Sequence, residues 1–190
     1  MRYKSIIVSR FGGPEVLQVV ENELRPPAPD EVRIRVLASS ACLPDITVRA
    51  GKSLYSSTPL GSKPPFVPGY SVIGTVDALG SGVAEVSIGE RVGALTVTGG
   101  YSEYQYWKSD RLIPVPASLN PAEAVTLILN YIVAYQVLHR AARIKLGEKA
   151  LIIGASGGIG SALSPRPTWS TSSLPATASK SGRSRPATTW

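Results

Sequence analysis

Short apolar segments, separated by glycine and proline, fill residues 1–115 of the chain. Their length and their β-branched residues are typical of strands. In the third segment Val32, Ile34 and Val36 alternate with two arginines and a leucine, which places the three β-branched side chains on one buried face. The predicted strands are 4–9, 16–20, 31–38, 71–78, 91–97 and 101–107. Such spacing predicts a small β-barrel or sandwich, with residues 51–68 as an exposed loop.

The pattern changes after Pro116. Ser118 and Pro121 are typical of a helix start, and residues 125–142 are predicted to be helical. Residues 150–153 then form a short apolar run that predicts a buried strand, and residues 154–160 form a glycine-rich turn into a new helix. This order of elements is the opening β-turn-α unit of a nucleotide-binding sheet.

Charge and composition narrow the classes of function. The net charge is +7, but residues 164–190 supply four basic side chains and no acid, so the remainder carries only +3 without a cluster. We therefore expect no nucleic-acid partner, although association through that basic tail stays an alternative. One cysteine excludes an internal disulfide, and one histidine, His139, has no nucleophilic or acidic partner at a readable spacing. No apolar leader opens the chain, so we expect a soluble, cytoplasmic protein without a membrane partner.

The glycine-rich turn is the strongest candidate site. Its residues are Gly154, Ala155, Ser156, Gly157, Gly158, Ile159 and Gly160. Glycines let backbone N–H groups approach a pyrophosphate, and the start of the following helix favours an anion. The turn is therefore predicted to bind a dinucleotide, with a purely structural turn as the alternative.

Several motifs in order resemble one family. GEKALIIGASGGIG at 147–160 resembles the cofactor loop of the medium-chain dehydrogenase/reductase superfamily, in its zinc-free quinone-oxidoreductase-like branch. Residues 11–17 resemble the opening hairpin of that family, 68–74 its PGxE-like strand, 99–104 its GGxAEY-like segment and 129–135 its linking helix. The resemblance implies an α/β chain: a GroES-like barrel at 1–116, a linking helix and an incomplete Rossmann βα unit at 117–163, and a low-complexity basic tail at 164–190, expected to be disordered.

The resemblance also assigns residues around the nicotinamide. Residues 42–51 are similar to the NPVDxYIRxG segment of the family, which places Cys42, Asp45 and Thr47 near the nicotinamide, with Val133 and Tyr135 on the linking helix. The zinc-ligand positions of other members match Cys42, Tyr70 and Leu129, so no zinc is expected. Cys42 read alone is an ordinary buried thiol, Asp45 a helix cap, and Val133 and Tyr135 core packing.

The tail contains a last candidate. Residues 177–180 resemble a TASK-like segment that contacts the extra phosphate of NADPH, which assigns Ser179 and Lys180 to the cofactor. Residues 164–190 nonetheless contain seven Ser, five Thr and four Pro and lack the apolar helix–strand pattern. A shifted reading frame is one hypothesis for this stretch. A disordered tail is the other.

The expected function is that of an NADPH-dependent, zinc-independent oxidoreductase, with NADH the less favoured cofactor. It would transfer hydride to a small molecule, either a quinone or an activated alkene or carbonyl. The resemblance implies a homodimer for the full-length family. The alternative is a truncated, non-catalytic GroES-like fragment whose cofactor domain is lost. A short-chain dehydrogenase pair, Tyr104 and Lys108, is disfavoured because both precede the glycine turn in a predicted strand.

Overall fold

The computed structural model of the chain describes residues 1–52, 63–145 and 147–164. The chain divides into two compact units, Met1–Leu129 and Asn130–Trp190. The first unit contains all of the strands that the structure describes. The boundary falls within a helix, so each unit is treated separately below.

Seven strands lie in the described part of the first unit; the first six match the six predicted segments in order, and the seventh was not predicted. β1 (Arg2–Val8) and β2 (Leu17–Glu23) form an antiparallel hairpin that includes a short 3-10 turn, Pro14–Val16. The other strands form one antiparallel sheet in the order β6-β3-β4-β5-β7. Their bounds are β3 Glu31–Ser39, β4 Ser71–Leu79, β5 Arg91–Leu95, β6 Tyr104–Lys108 and β7 Ile113–Pro114.

The core lies on one face of the central strands, as the alternation in the third segment predicts. Val32 and Ile34 of β3 are fully buried and pack with Val76 of β4 and Val92 of β5. Val36, the third residue of the predicted face, is only half-buried. Residues 71–74 of β4 are buried on both faces, as expected for the strand at the middle of the sheet.

The predicted barrel is corrected to an open sheet. Among the described residues the five-stranded sheet ends at β6 and β7, and no ladder joins these two strands. The hairpin attaches to it through isolated bridges between Ser5 and Ser102 and between Val8 and Phe66. β7 is two residues long and ends in Pro114, which has no N–H to extend a ladder. The short edge strand therefore leaves the sheet unclosed.

Two helices complete the first unit. α1 is Leu43–Arg49, and α2 is Pro121–Tyr135, which continues as a π-helical stretch, Gln136–Ala141, and so confirms the predicted helix. The first turns of α2 pack onto β5, where a Cβ added to Gly93 would lie 2.9 Å from Ile128 Cδ1. Glycine at this position lets the helix approach the sheet.

The predicted strand at 150–153 is wrong. These residues form no ladder, and Leu151 and Ile153 are 71% and 89% exposed. A parallel strand needs neighbouring strands to pair with, and the described part of the second unit contains no strand at all. The following helix is formed as predicted, and it is α3 (Gly158–Leu163).

Candidate active site

A cleft of about 340 Å³ opens beside α1. α1 begins with a capping box: Cys42 is the N-cap, and the Asp45 carboxylate accepts a hydrogen bond from the Cys42 backbone N–H. This box fixes the start of the helix and turns both side chains toward the cleft. The cleft is lined by Leu17, Ala41, Cys42, Leu43, Asp45, Ile46, Arg49, Pro68 and Tyr101.

Asp45 is the centre of the site. Its side chain is buried, at 7% exposure, and both carboxylate oxygens accept hydrogen bonds. Oδ2 accepts from the Cys42 backbone N–H at 2.9 Å, from Cys42 Sγ at 3.1 Å and from the Tyr101 hydroxyl at 3.2 Å. Oδ1 accepts from the Gly69 N–H at 3.0 Å. A carboxylate that accepts from every neighbour can be buried at moderate cost, because each acceptor site is used.

The backbone around Gly69 brings Tyr101 to Asp45. Gly69 has a φ of +109°, and a Cβ there would lie 2.6 Å from both Gly100 Cα and Tyr101 N. The Gly100 N–H in turn donates to the Gly69 carbonyl oxygen at 3.1 Å. The residue at 69 must be glycine both for its left-handed conformation and for this close approach.

The neighbourhood keeps two acidic groups protonated. Burial, together with the hydrogen bond to Asp45 and the charge of that carboxylate, raises the pKa of the Cys42 thiol from 9.0 to about 12. Burial is also the largest cause that raises the pKa of the Tyr101 hydroxyl, followed by the negative charge of Asp45. At neutral pH both groups are therefore neutral donors to Asp45, and the thiol is a poor nucleophile.

Arg49 supplies the positive charge of the cleft. It lies in the last turn of α1, where its Nε donates to the Gly12 carbonyl oxygen at 3.3 Å. The Gly12 N–H donates to the Arg49 carbonyl oxygen at 3.1 Å, so the residue is held through both its backbone and its side chain. Within the part of the chain that the structure describes, the outer guanidinium nitrogens donate no hydrogen bond.

The structure brings Cys42 and Asp45 together, and Asp45 both caps α1 and lines the cleft, while their place beside the nicotinamide stays a prediction. Thr47 does not line the cleft, because its hydroxyl donates to the Pro44 carbonyl oxygen at 2.9 Å within the helix. The sequence prediction missed Tyr101 and Arg49 as site residues. The glycine pair before Tyr101 was the available signal, because adjacent glycines often mark a close backbone approach.

The second unit holds the predicted cofactor turn. Gly154 has a φ of +77°, the Gly157 N–H donates to the Gly154 carbonyl oxygen at 3.0 Å, and Gly157 caps α3. A Cβ added to Gly160 would collide with the Gly154 carbonyl oxygen and lie 2.7 Å from Ala155 Cα. Gly154 and residues 156–159 of the turn are exposed, whereas Gly160 is buried, and this exposed glycine backbone fits a pyrophosphate.

The other predicted site residues of the second unit are Val133 and Tyr135 on the helix, and Ser179 and Lys180 in the tail. Val133 is half-buried, and Tyr135 is 59% exposed with its ring 4.5 Å from the ring of His139. The structure does not test their assignment to the nicotinamide, which stays a prediction. Ser179 and Lys180 lie outside the described residues.

Two further candidate sites, for a metal ion and for a Tyr–Lys pair, can be compared with the geometry. Among the described residues no group of three or more His, Cys, Asp or Glu side chains could hold a metal ion. Tyr70 and Leu129 occupy the other two positions that resemble zinc ligands, and neither side chain is a zinc ligand in such sites. Tyr104 and Lys108 stand at opposite ends of β6, with Lys108 Nζ 2.7 Å from Asp30 Oδ2, so they form no catalytic pair.

Comparisons with known proteins give the class of the first unit. Residues 28–117 match the model of the alcohol dehydrogenase GroES-like domain. The quinone oxidoreductase of Lama guanicoe is 36% identical over 160 residues, which cover 83% of this chain and 47% of that protein. The chain thus spans about half the length of the curated relatives it matches.

Solved structures agree with the sequence relatives. The CurK enoyl reductase superposes with a TM-score of 0.78 at 25% identity, covering 85% of this chain and 49% of the other. A mycobacterial protein solved as a complex with NADPH gives a TM-score of 0.73 at 29% identity, covering 85% and 48%. The resemblance to the medium-chain dehydrogenase/reductase superfamily is confirmed, and the match to its GroES-like domain covers residues 28–117.

Proposed function

We propose that this chain belongs to an NADPH-dependent oxidoreductase that transfers hydride, without zinc, to a quinone or to an activated alkene or carbonyl. The observation that carries the proposal is the cleft on α1 in which Asp45 holds Cys42 and Tyr101. Relatives named quinone oxidoreductase and a neighbour named enoyl reductase support the acceptor class. The neighbour solved with NADPH supports the cofactor.

The glycine turn would hold the pyrophosphate of the cofactor through its backbone. Its exposed N–H groups and the cap of α3 at Gly157 suit an anion, and the space beside Gly160 leaves no room for a side chain. When bound, the nicotinamide supplies the hydride. We assign Ser179 and Lys180 to its extra phosphate on sequence alone, and this makes NADPH the favoured cofactor over NADH.

The residues of the cleft position the acceptor rather than protonate it. The hydrogens of the Cys42 thiol and the Tyr101 hydroxyl are both donated to Asp45, and both groups have raised pKa values. Reduction of a quinone to a hydroquinone, or of an activated alkene or carbonyl, takes one hydride and one further proton. In this proposal water supplies that proton, because the protons of Cys42 and Tyr101 are held in hydrogen bonds to Asp45.

A zinc-independent reaction is favoured by the donor set. The Cys42 thiol is protonated and hydrogen-bonded to Asp45, whereas a zinc ligand must be a thiolate. Treatment with a strong chelator is therefore expected to leave the activity unchanged.

A soluble protein is supported by the named oxidoreductase relatives, and we propose a cytoplasmic location. By length and composition the helical segment Pro121–Ala141 is apolar enough to cross a membrane. Core helices of soluble proteins pass the same test, and Ala124, Val125 and Ile128 of this helix are buried in the fold. We propose that the substrate is its only partner apart from a second copy of the chain.

The test is NADPH oxidation by the purified chain with quinones and with enones as acceptors. We expect turnover with at least one acceptor, a preference for NADPH over NADH, and no loss with chelator. Gly160→Ala is expected to abolish turnover, since the added Cβ collides with the Gly154 carbonyl oxygen. Gly147→Ala is the control, because a Cβ added there would meet nothing within 4 Å, so this variant adds only the backbone strain of a φ of +89°. No turnover with any acceptor would favour the non-catalytic fragment instead.

A further inference from the structure

The cleft on α1 contains a cation that has no ion pair. The salt bridges among the described residues use three other arginines and Lys108, and none includes Arg49. The pKa of Glu15 is lowered chiefly by hydrogen bonds that its carboxylate accepts from its own backbone N–H and from the Gly13 N–H. The positive charge of Arg49 lowers it too, but is a smaller cause. The Arg49 guanidinium therefore presents a positive charge to whatever enters the cleft.

The other side-chain donors of the cleft are already used. Of the nine lining residues, all of which are described, only Cys42, Arg49 and Tyr101 carry a side-chain hydrogen-bond donor. The thiol and the phenol both donate to the buried Asp45 carboxylate. That carboxylate is shielded by four donors, whereas the outer nitrogens of Arg49 form no hydrogen bond with another described residue. Arg49 is therefore the residue of the cleft that can donate hydrogen bonds to an oxygen of a ligand.

The remaining walls of the cleft are apolar. Leu17, Ala41, Leu43, Ile46 and Pro68 surround the charged end, and Leu43 and Ile46 are 70% and 50% exposed. Exposed aliphatic side chains beside one unpaired cation favour a ligand with a flat apolar body and an anionic group at one end. Arginine binds such oxyanions through two parallel N–H groups.

We propose that this cleft binds a planar, conjugated carbonyl compound that bears a negative charge, with the anionic group on Arg49 and the ring system on Leu43 and Ile46. The inference rests on the proposed function and narrows its acceptor to an anionic class. No bond is made or broken in this binding step.

The test is the equilibrium binding of anthraquinone-2-sulfonate to the full chain, measured by calorimetry in the absence of NADPH. The quinone ring of this probe is flanked by two fused benzene rings, so a thiol has no free ring carbon to add to. The neutral 2-(hydroxymethyl)anthraquinone is the comparison ligand. Because a charge-assisted pair is stronger than a neutral one, we expect the sulfonate to bind about tenfold more tightly. Added salt should reduce this preference.

Variants test whether the tighter binding of the sulfonate depends on the cleft. Arg49→Gln should remove it, while Arg10→Gln, which removes the same charge from a nearby exposed residue outside the cleft, should keep it. Ile46→Asp, at a half-exposed position of the lining, should weaken both ligands because an apolar contact to the ring is lost, and should weaken the sulfonate about tenfold more than the neutral ligand because the new carboxylate repels it.

Equal binding of both ligands, no saturable binding, or a preference that survives both Arg49→Gln and Ile46→Asp would overturn the proposal. The NADPH oxidation assay with neutral quinones separates the two claims. Turnover of neutral acceptors without any sulfonate preference would reject the anionic class and leave the proposed function standing.

Discussion

The Tyr101 hydroxyl donates to Asp45 Oδ2 at 3.2 Å, although 56 positions separate the two residues in the sequence. The same carboxylate holds the N-cap of α1 and the Gly69 N–H. Asp45 therefore ties three separate segments of the first unit together. Asp45 resembles a cofactor-site aspartate in sequence, but it also holds the fold together. We therefore expect its replacement to lower the free energy of unfolding, whatever it does to activity.

Asp45→Ala should destabilise the first unit by about 3 kcal/mol or more, because the Cys42 and Gly69 N–H groups lose their acceptor while buried. Asp45→Asn keeps one acceptor oxygen, so it should cost less, about 1–2 kcal/mol. Urea unfolding, monitored by tryptophan fluorescence, measures the free energy of unfolding of both variants.

Asp30→Asn is the matched control for this comparison. Asp30 is 60% exposed in its pair with Lys108 Nζ, so its loss should destabilise the chain much less than the loss of Asp45. Equal costs for the Asp30 and Asp45 variants would mean that the buried network is not the source of stability.

The Cys42 thiol should react slowly with alkylating reagents. Its pKa is raised to about 12, so the thiolate is scarce at pH 8, where an ordinary cysteine is partly ionised. The measurement is the pH dependence of the alkylation rate in the native and the urea-unfolded chain. Asp45→Asn should speed the native reaction, because removal of the negative charge lowers the pKa of the thiol. A native rate equal to that of the unfolded chain would contradict the described environment of Cys42.

The stability of the first unit should fall as the pH rises above about 9. In the unfolded chain the thiol and the phenol ionise near their ordinary pKa values of 9.0 and 10.0, whereas in the folded chain both retain their protons. Above pH 9 the unfolded state therefore binds fewer protons and becomes relatively more stable.

Urea unfolding at a series of pH values from 7 to 11 tests this dependence. Cys42→Ser combined with Tyr101→Phe removes both titrating groups, and the serine still donates to Asp45 and caps α1. The slope should be shallower in the double variant. An unchanged slope would assign the alkaline loss of stability to other groups, such as Lys108, whose pKa is raised by Asp30.

Gly69→Ala should be much more damaging than Gly89→Ala. Both glycines have positive φ angles, +109° and +87°, so both variants pay for strained backbone, about 1–2 kcal/mol. Only at Gly69 does the new Cβ also meet backbone atoms at 2.6 Å, while at Gly89 nothing lies within 4 Å. Thermal unfolding of the two variants measures the difference, and equal melting temperatures would show that the approach of Gly100 to Gly69 is not needed.

Local patterns were sufficient to predict the sheet of the first unit. Alternation identified the buried face of β3 at Val32 and Ile34, and the apolar run at 125–142 identified the second helix, because both signals lie within one element. The prediction failed at 150–153, where an apolar run has no neighbouring strand to pair with among the described residues. Burial of a strand depends on partners that its own sequence does not contain.

The site was only partly visible in the sequence for the same reason. Cys42 and Asp45 belong to one capping box and could be found together, three positions apart. Tyr101 reaches Asp45 only through the turn at Gly69 and Gly100, and Arg49 is oriented by Gly12 in the hairpin. These contacts join distant segments, so neither residue stood out in the sequence.

Titration of the purified chain with NADPH, following nucleotide fluorescence and melting temperature together, tests the central claim most directly. NADH serves as the control ligand, and Gly160→Ala as the control variant. The account predicts saturable binding of NADPH with a rise in melting temperature, weaker binding of NADH, and loss of both effects in the variant. A cooperatively folded chain that binds neither nucleotide would contradict it.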